Sequence, residues 1–131
     1  MEKFEYQTEQ FTATVGINEG YLHDNPQSPE EALEYFAKLW SGIALKVEKE
    51  LGIFVPVRAN SGKVIYQAEK GCPEGGEDVL ILQGTRNPYH TADSGKWREA
   101  VVTIVEEVKA ELKQTTVQVI FQSIDLVFMK S

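Results

Sequence analysis

The sequence predicts an α+β fold in which one antiparallel sheet carries two helices on the same face. Two segments have the apolar spacing of amphipathic helices, and strand-like segments precede, separate and follow them. The composition is that of a globular chain, because 42% of the residues are hydrophobic and 25% are charged. At 131 residues, we expect one domain that spans the whole chain, 1–131.

The first strand is predicted over residues 10–18, where apolar side chains occupy every second position. These side chains are Phe11, Ala13, Val15 and Ile17. Since the side chains of a strand alternate between the two faces of a sheet, this pattern indicates one buried face. We expect the next segment, 19–27, to be a loop.

The first helix is predicted to begin after Ser28 and to end at Gly52. Ser28 is followed by Pro29 and, three positions on, by Glu31, which is the pattern of a capping box with proline at the first helical position. Glycine at position 52 is typical of a helix end. Between them, apolar residues recur at intervals of three and four: Leu33, Phe36, Ala37, Trp40, Ile43, Ala44, Val47 and Leu51.

Two strand-like segments, 53–59 and 63–68, flank the turn-forming residues 60–62. They form either a hairpin or one strand broken by a wide bulge, and the sequence leaves both alternatives open. Pro56 places the first segment at a sheet edge, because proline has no N–H to donate to a neighbouring strand.

A turn-rich loop over 69–78 leads to a short strand, 79–83, with apolar side chains on both faces. A strand of this kind is buried on both sides, so we expect it in the centre of the sheet. After a polar segment, 84–95, the second helix is predicted over about 96–114. Its apolar stripe consists of Trp97, Val101, Ile104, Val105, Val108 and Leu112.

The last strand is predicted over 115–129, with a change of facing partway. Its apolar side chains occupy odd positions up to Phe121 and even positions from Ile124 onwards. Because the side-chain period of a strand is two, this change predicts a bulge or bend near Gln122 and Ser123. The extended segment spans about 50 Å, whereas a compact chain of this length has a diameter of roughly 36 Å. The strand therefore either folds back at the bulge or pairs with another subunit, and we expect a homo-oligomer that uses this strand or the sheet face.

The element order β-α-β-(β)-β-α-β predicts a ferredoxin-like split β-α-β sandwich, with both helices on one face of an antiparallel sheet. In this order the chain resembles ferredoxin-like and tautomerase-like small proteins, which often assemble as dimers or trimers through sheet edges. Tautomerases of that kind act through an amino-terminal proline that is exposed when methionine is removed. The second residue here is Glu2, so their chemistry does not transfer to this chain.

Charge and cysteine content favour a cytoplasmic protein without nucleic-acid or membrane partners. The formal net charge is −7, which repels phosphate backbones and anionic membranes. No stretch approaches the ~18 apolar residues that a membrane-spanning helix needs. The single cysteine excludes an internal disulfide, which is typical of a reducing compartment. His23, Asp24, Cys72 and His90 lie in separate loops without the close spacing of metal ligands, so we expect neither a metal nor a cofactor.

The polar segment 84–95 contains the main candidates for a site, because loops that leave strand ends often bind ligands. Arg86 is a candidate to bind a small anionic ligand, and Tyr89 or His90 to transfer a proton. The same segment has the composition of a turn followed by a helix cap, which is the structural alternative.

Arg58 and Tyr66, in the broken-strand region, are further candidates for ligand binding, since both side chains are long enough to reach a cleft. Arg58 could equally be a charge that keeps an edge strand from pairing with other chains. Asp125 interrupts the apolar run of the last strand. It either pairs with an arginine such as Arg58 or Arg86 or marks the solvent face.

Two functional interpretations follow from these features. The leading one is a small protein that acts through binding or oligomeric assembly without catalysis of its own, because no segment carries a strong catalytic motif. The alternative is a small-molecule enzyme, with an anionic substrate bound by Arg86 and a proton transferred by His90 or Tyr89 at a cleft that subunits share. A cavity in which these side chains converge would favour the enzyme.

Overall fold

The computed structural model describes residues 1–17 and 28–131, so the predicted loop 19–27 lies outside the described residues. Strands and helices follow one another in the predicted order. They are β1 (Glu2–Gly16), α1 (Pro29–Leu51), β2 (Arg58–Val64), β3 (Glu77–Thr85), α2 (Ser94–Glu111) and β4 (Gln118–Lys130), with a 3₁₀ turn at Ala68–Lys70 between β2 and β3.

The strands form an antiparallel sheet in the order β2-β3-β1-β4. This order confirms the predicted ferredoxin-like split β-α-β sandwich. The helices pack on the face of the sheet that presents Phe11, Ala13 and Val15, and these side chains are buried together with Phe36 of α1 and Trp97 of α2. β3 lies between β2 and β1, as its two apolar faces predict, and β2 is an edge strand.

Helix α1 begins and ends as predicted. The backbone N–H of Glu31 donates to Ser28 Oγ, and the backbone N–H of Ser28 donates to Glu31 Oε1, both at 3.2 Å, which completes the capping box. Gly52 ends the helix with φ at 75°, in the left-handed region that favours glycine. Neither α1 nor α2 is long and apolar enough to cross a membrane.

The region around residues 60–62 differs from both predicted alternatives, because it is neither a turn nor a bulge. β2 pairs with β3 in one continuous register, from Arg58 opposite Gln83 to Val64 opposite Glu77. A Cβ at position 62 would lie 2.7 Å from Cδ1 of a side chain on β3, so the glycine here allows close packing between strands.

The predicted bulge near Gln122 and Ser123 is wrong. β4 pairs with β1 without interruption, from Gln118 opposite Thr14 to Lys130 opposite Glu2. The prediction begins the first strand only at residue 10, whereas β1 begins at Glu2 and supplies a partner for all of β4. The last strand therefore pairs within its own chain, and its length alone does not require a second subunit.

The apolar side chains of β4 shift from odd to even positions because the two halves of this strand are covered on opposite faces. The helices cover the face to which Phe121 points. Beyond it, residues 2–8 of β1 and 124–130 of β4 continue as a two-stranded ribbon past the end of β3. The loop after β3 covers the opposite face of this ribbon, where the rings of Tyr89 and Phe128 lie 5.2 Å apart. A switch in the covered face, rather than a break in the strand, explains the sequence pattern.

Candidate functional site

Arg86 lies in a buried ion cluster. Its Nε donates to Glu9 Oε2 at 2.7 Å, and its Nη1 donates to the carbonyls of Thr91 and Ala92 at 3.2 and 3.1 Å. Nε of Arg98 donates to the other oxygen of the same carboxylate. Only 10% of the Arg86 side chain and 6% of the Glu9 side chain are exposed. Most of the hydrogen bonds of Arg86 therefore hold the loop after β3 against β1.

The carboxyl of Glu9 is held in its ionised form within this cluster. Burial by itself raises its pKa, but hydrogen bonds from Ser94, Arg98 and Arg86, together with the charge of Arg98, outweigh burial and leave the pKa below its usual value. The hydroxyl of Ser94 donates to Glu9 Oε2 at 2.5 Å. Glu9 is thus the common acceptor that joins β1, the loop and the first turns of α2.

Tyr89 and His90 lie on the opposite face of the ribbon from this cluster. The ring of His90 packs edge-on against Phe128, with the ring centroids 5.8 Å apart. Glu9 pairs with Ser123 of β4, and the two side chains lie on the same face. Phe128 is five residues further along β4, so its side chain points to the opposite face. Arg86 therefore does not converge with Tyr89 and His90 in one cavity of a single chain.

Arg58 belongs to a row of polar side chains that crosses the open face of the sheet, which is the face without helices. Arg58 donates to Gln83, Gln83 donates to Gln10 at 3.5 Å, and Gln10 donates to Gln122 at 3.4 Å. A cavity of about 440 Å³ lies at the Arg58 end of this row. The row joins all four strands, so Arg58 has a structural partner within the chain.

Tyr66 is part of a polar pair beside the open face. Its hydroxyl donates to Glu77 Oε2 at 3.4 Å, and Tyr66 is 37% exposed. Val64, opposite Glu77 in the register, lines a cleft of about 300 Å³. The cleft is also lined by Thr12, Thr14, Gln118 and Ile120. Tyr66 and Glu77 do not line this cleft themselves, but Glu77 lies next to Val64, which does.

Gly16 allows Glu77 to approach the end of β1. A Cβ at Gly16 would lie 3.2 Å from Glu77 Oε1 and 2.9 Å from Gln114 Oε1. A larger residue would displace one of these two side chains. A carboxylate, a carboxamide and the Tyr66 phenol thus come together near the cleft, and this set of groups can bind a cation and accept or donate hydrogen bonds.

A further cavity, of about 860 Å³, lies between α1 and the segment that precedes β2. Its walls include Trp40 and Phe54, and Glu34 and Glu48 also line it. The indole N–H of Trp40 already donates to the carbonyl of Val55 at 3.1 Å. This groove offers mainly apolar contact area, in contrast to the hydrogen-bonded pair beside the open-face cleft.

Residues 1–17 and 28–131 contain no group of three or more His, Cys, Asp or Glu side chains that could hold a metal ion. His23 and Asp24 lie outside the described residues. The expected absence of a metal stays a prediction.

Glu9 and Glu77 are two residues of these clusters that the sequence patterns did not single out. Glu9 precedes the predicted first strand, but it is in phase with the buried side chains of Phe11 and Ala13. A charged residue in phase with a buried face predicts a buried ion pair, so the signal was in the sequence. The sequence places Glu77 in a turn-rich loop, and its contact with Tyr66 depends on how β2 and β3 pair, which no local pattern indicates.

The fold is that of a small α+β protein with one antiparallel sheet and a cleft on its open face. The sequence matches the family model described as SAM lyase over residues 6–130. The chain belongs to the SAM lyase family. No curated protein matches the sequence significantly.

Two solved structures of phage proteins have a similar fold. A phage SAM lyase in the apo state superposes with a TM-score of 0.59 and 14% sequence identity, over 95% of this chain and 90% of that chain. A phage SAM lyase in complex with S-methyl-5'-thioadenosine superposes with a TM-score of 0.51 and 16% identity, over 91% of this chain and 88% of that chain. At these identities the likeness shows a shared fold.

The family corrects the leading functional interpretation. A protein that acts only through binding or assembly is wrong, because the family is one of enzymes that degrade S-adenosylmethionine. The enzyme alternative is the better interpretation. The roles that it gives to Arg86, Tyr89 and His90 stay predictions.

Proposed function

We propose that this chain is a lyase that cleaves S-adenosylmethionine into S-methyl-5'-thioadenosine and a four-carbon product without using water. The match to the SAM lyase family over residues 6–130 carries this proposal. The bond that breaks joins the sulfonium sulfur to Cγ of the methionine part, and the sulfur keeps the electron pair. The substrate's own carboxylate forms a C–O bond to Cγ, which gives homoserine lactone. The sulfonium and carboxylate charges cancel in this step, and no external base is needed.

The Tyr66–Glu77 pair is the site that best suits this substrate. A sulfonium carries a positive charge, which a carboxylate attracts and the face of an aromatic ring stabilises. The hydroxyl–carboxylate contact of 3.4 Å fixes the two groups relative to each other beside the cleft. The net charge of −7 also favours the encounter with a cationic substrate. Tyr66 thus keeps the ligand-binding role that the sequence predicts, although the ligand here is cationic at the reacting atom.

The cleft is proposed to be completed by a second copy of the chain. Its volume in one chain, about 300 Å³, is at the small end of the range for ligand sites, and a reaction without water needs a site from which water is excluded. Two large apolar side chains near it are exposed, Ile65 at 78% and Ile120 at 59%. Burial of these side chains between subunits would stabilise a homo-oligomer. Cys72 is a free thiol, which is compatible with the predicted cytoplasmic location.

The test is to incubate the purified protein with S-adenosylmethionine in water enriched in ¹⁸O and to identify the products by mass spectrometry. We expect S-methyl-5'-thioadenosine and unlabelled homoserine lactone. Formation of homoserine with ¹⁸O in its hydroxyl group would show hydrolysis and would contradict the lyase proposal. Absence of S-methyl-5'-thioadenosine would contradict the activity altogether.

Variants locate the site. Glu77→Gln should raise the KM for S-adenosylmethionine by about tenfold or more, as expected for loss of one charge pair with the sulfonium of the bound substrate. Glu74→Gln, on the same hairpin, changes the net charge equally and should leave activity unchanged. Glu48→Gln removes a charge from the apolar groove instead. A large loss in Glu48→Gln with none in Glu77→Gln would move the active site to the groove.

The oligomer has a separate readout. Ile120→Lys places a charge beside the cleft and should shift the protein to a monomer in light scattering, with a loss of activity. A wild-type protein that is monomeric and fully active would contradict the shared cleft.

A further inference from the structure

We propose that the polar pocket at the start of α2 is a second binding site, which takes a small α-amino acid in its zwitterionic form. The pocket has a volume of about 470 Å³. It lies beyond the end of β3, whereas Glu77 is the first residue of that strand, so the two sites are about 27 Å apart along β3. Within one chain, the second site is therefore separate from the proposed active site.

Arginines line one side of the pocket. Arg86 has nine-tenths of its side chain buried, and its Nε and Nη1 are bonded to protein groups. Its Nη2 has no hydrogen-bond partner in the part of the chain that the structure describes. A buried donor without a partner is costly, and a carboxylate in the pocket would satisfy it. Arg98 is held by Glu9 and by the ring of Phe121, with its guanidinium carbon 4.6 Å from the ring centroid, so its remaining donors are also oriented.

The side of the pocket that is formed by the two arginines and Glu9 has a net positive charge. Glu9 neutralises one of the two guanidinium groups, and the positive end of the α2 dipole adds to the charge that remains. A ligand carboxylate on this side would face the remaining donors of Arg86 and Arg98, whereas the Asp125 carboxylate lines another part of the pocket.

Asp125 distinguishes a zwitterion from a plain anion. It lines the same pocket and lies on the same face of β4 as Ser123, which is opposite Glu9 in the register. Two residues along a strand place its carboxylate about 7 Å from that row. No ion pair of Asp125 is formed with any of the described residues. A simple anion would be repelled by this carboxylate, whereas the ammonium group of an α-amino acid would pair with it.

The experiment measures binding of L-methionine, propionate and methylamine to the full chain by isothermal titration calorimetry. L-methionine should bind saturably, and the two probes that carry a single charge should bind at least about tenfold more weakly. Asp125→Asn should weaken L-methionine binding by about tenfold, as expected for loss of one charge pair. Glu5→Gln, on the same face of the ribbon but outside the pocket, is the matched control and should change binding less than twofold.

Two results would overturn the proposal. One is a lack of saturable L-methionine binding, or equal binding to the wild type and Asp125→Asn. The other is competition between L-methionine and S-adenosylmethionine with a raised KM in Asp125→Asn, which would make the pocket part of the substrate site. Because Glu77→Gln should not change L-methionine binding, a failure of the proposed activity and a failure of this site can be told apart.

Discussion

Glu9→Gln tests whether the buried ion cluster stabilises the fold. Glutamine has nearly the shape of glutamate, so the change removes charge and one acceptor with little change in packing. Glu9 accepts hydrogen bonds from Arg86, Arg98 and Ser94. After the substitution, the guanidinium of Arg86 stays buried without a counter-charge.

The expected loss follows from the burial of the two partners. The side chain of Arg98 is 48% exposed and can be hydrated instead, so it contributes little. Arg86 is 10% exposed and cannot be hydrated without opening the loop. Removal of one partner from a buried pair costs about 3–5 kcal/mol, out of a typical total of about 5–15 kcal/mol. In a domain of this size the melting temperature should fall by about 11–18 °C.

Urea denaturation followed by circular dichroism measures this loss. The midpoint should move to lower urea while the slope stays unchanged. Glu5→Gln, an exposed residue on the same strand, should lie within about 0.5 kcal/mol of the wild type. A loss below about 1 kcal/mol in Glu9→Gln would show that the cluster does not hold the loop, and the reasoning about Arg86 would be wrong.

Three further predictions concern pH and packing. The pKa of Glu9 is lowered in the folded state, so ionised Glu9 stabilises the fold above the ordinary carboxyl pKa. This stabilisation is lost as the pH falls through the lowered pKa. The free energies of unfolding of the wild type and Glu9→Gln should therefore differ at neutral pH and converge in acid. Gly84→Ala would place a Cβ against the ring of Phe11 and 2.9 Å from a backbone carbonyl oxygen, so it should lower the free energy of unfolding by about 1–3 kcal/mol. Gly42→Ala, with open space around it on α1, should raise the free energy of unfolding by about 0.5–1 kcal/mol. Equal effects of the two substitutions in denaturation would contradict the close packing at Gly84. Ser28→Ala should cost about 1 kcal/mol by removing the helix cap, and an unchanged midpoint would show that the capping box contributes nothing.

The parts of the fold that depend on local pattern could be predicted from the sequence. Helix α1, its cap at Ser28 and its end at Gly52 are specified by residues within one turn of each end. The central place of β3 follows from its two apolar faces. The change of facing in β4 could not be interpreted correctly from one strand, because it depends on which face a distant loop covers. Residues 60–62 have turn composition, yet pairing with β3 keeps them extended.

The candidate site could be predicted only in part. Tyr66 could be named as a ligand-binding candidate from the sequence, because its side chain is long enough to reach a cleft beside the strands. Glu77 could not be predicted as a site residue, because its contact with Tyr66 and its place beside Gly16 depend on the pairing of distant strands. The predicted role of Arg86 in binding an anion stays a prediction, and the sequence does not show that Glu9 pairs with its guanidinium.

The pairing of Glu2 with Lys130 also constrains how the chain is made. β1 is a central strand, yet one of its neighbours is encoded at the far end of the sequence. On the ribosome, the sheet stays incomplete until residues 118–130 have emerged, and one edge of β1 is exposed to other nascent chains during that time. Rapid synthesis or early chaperone binding would protect that edge.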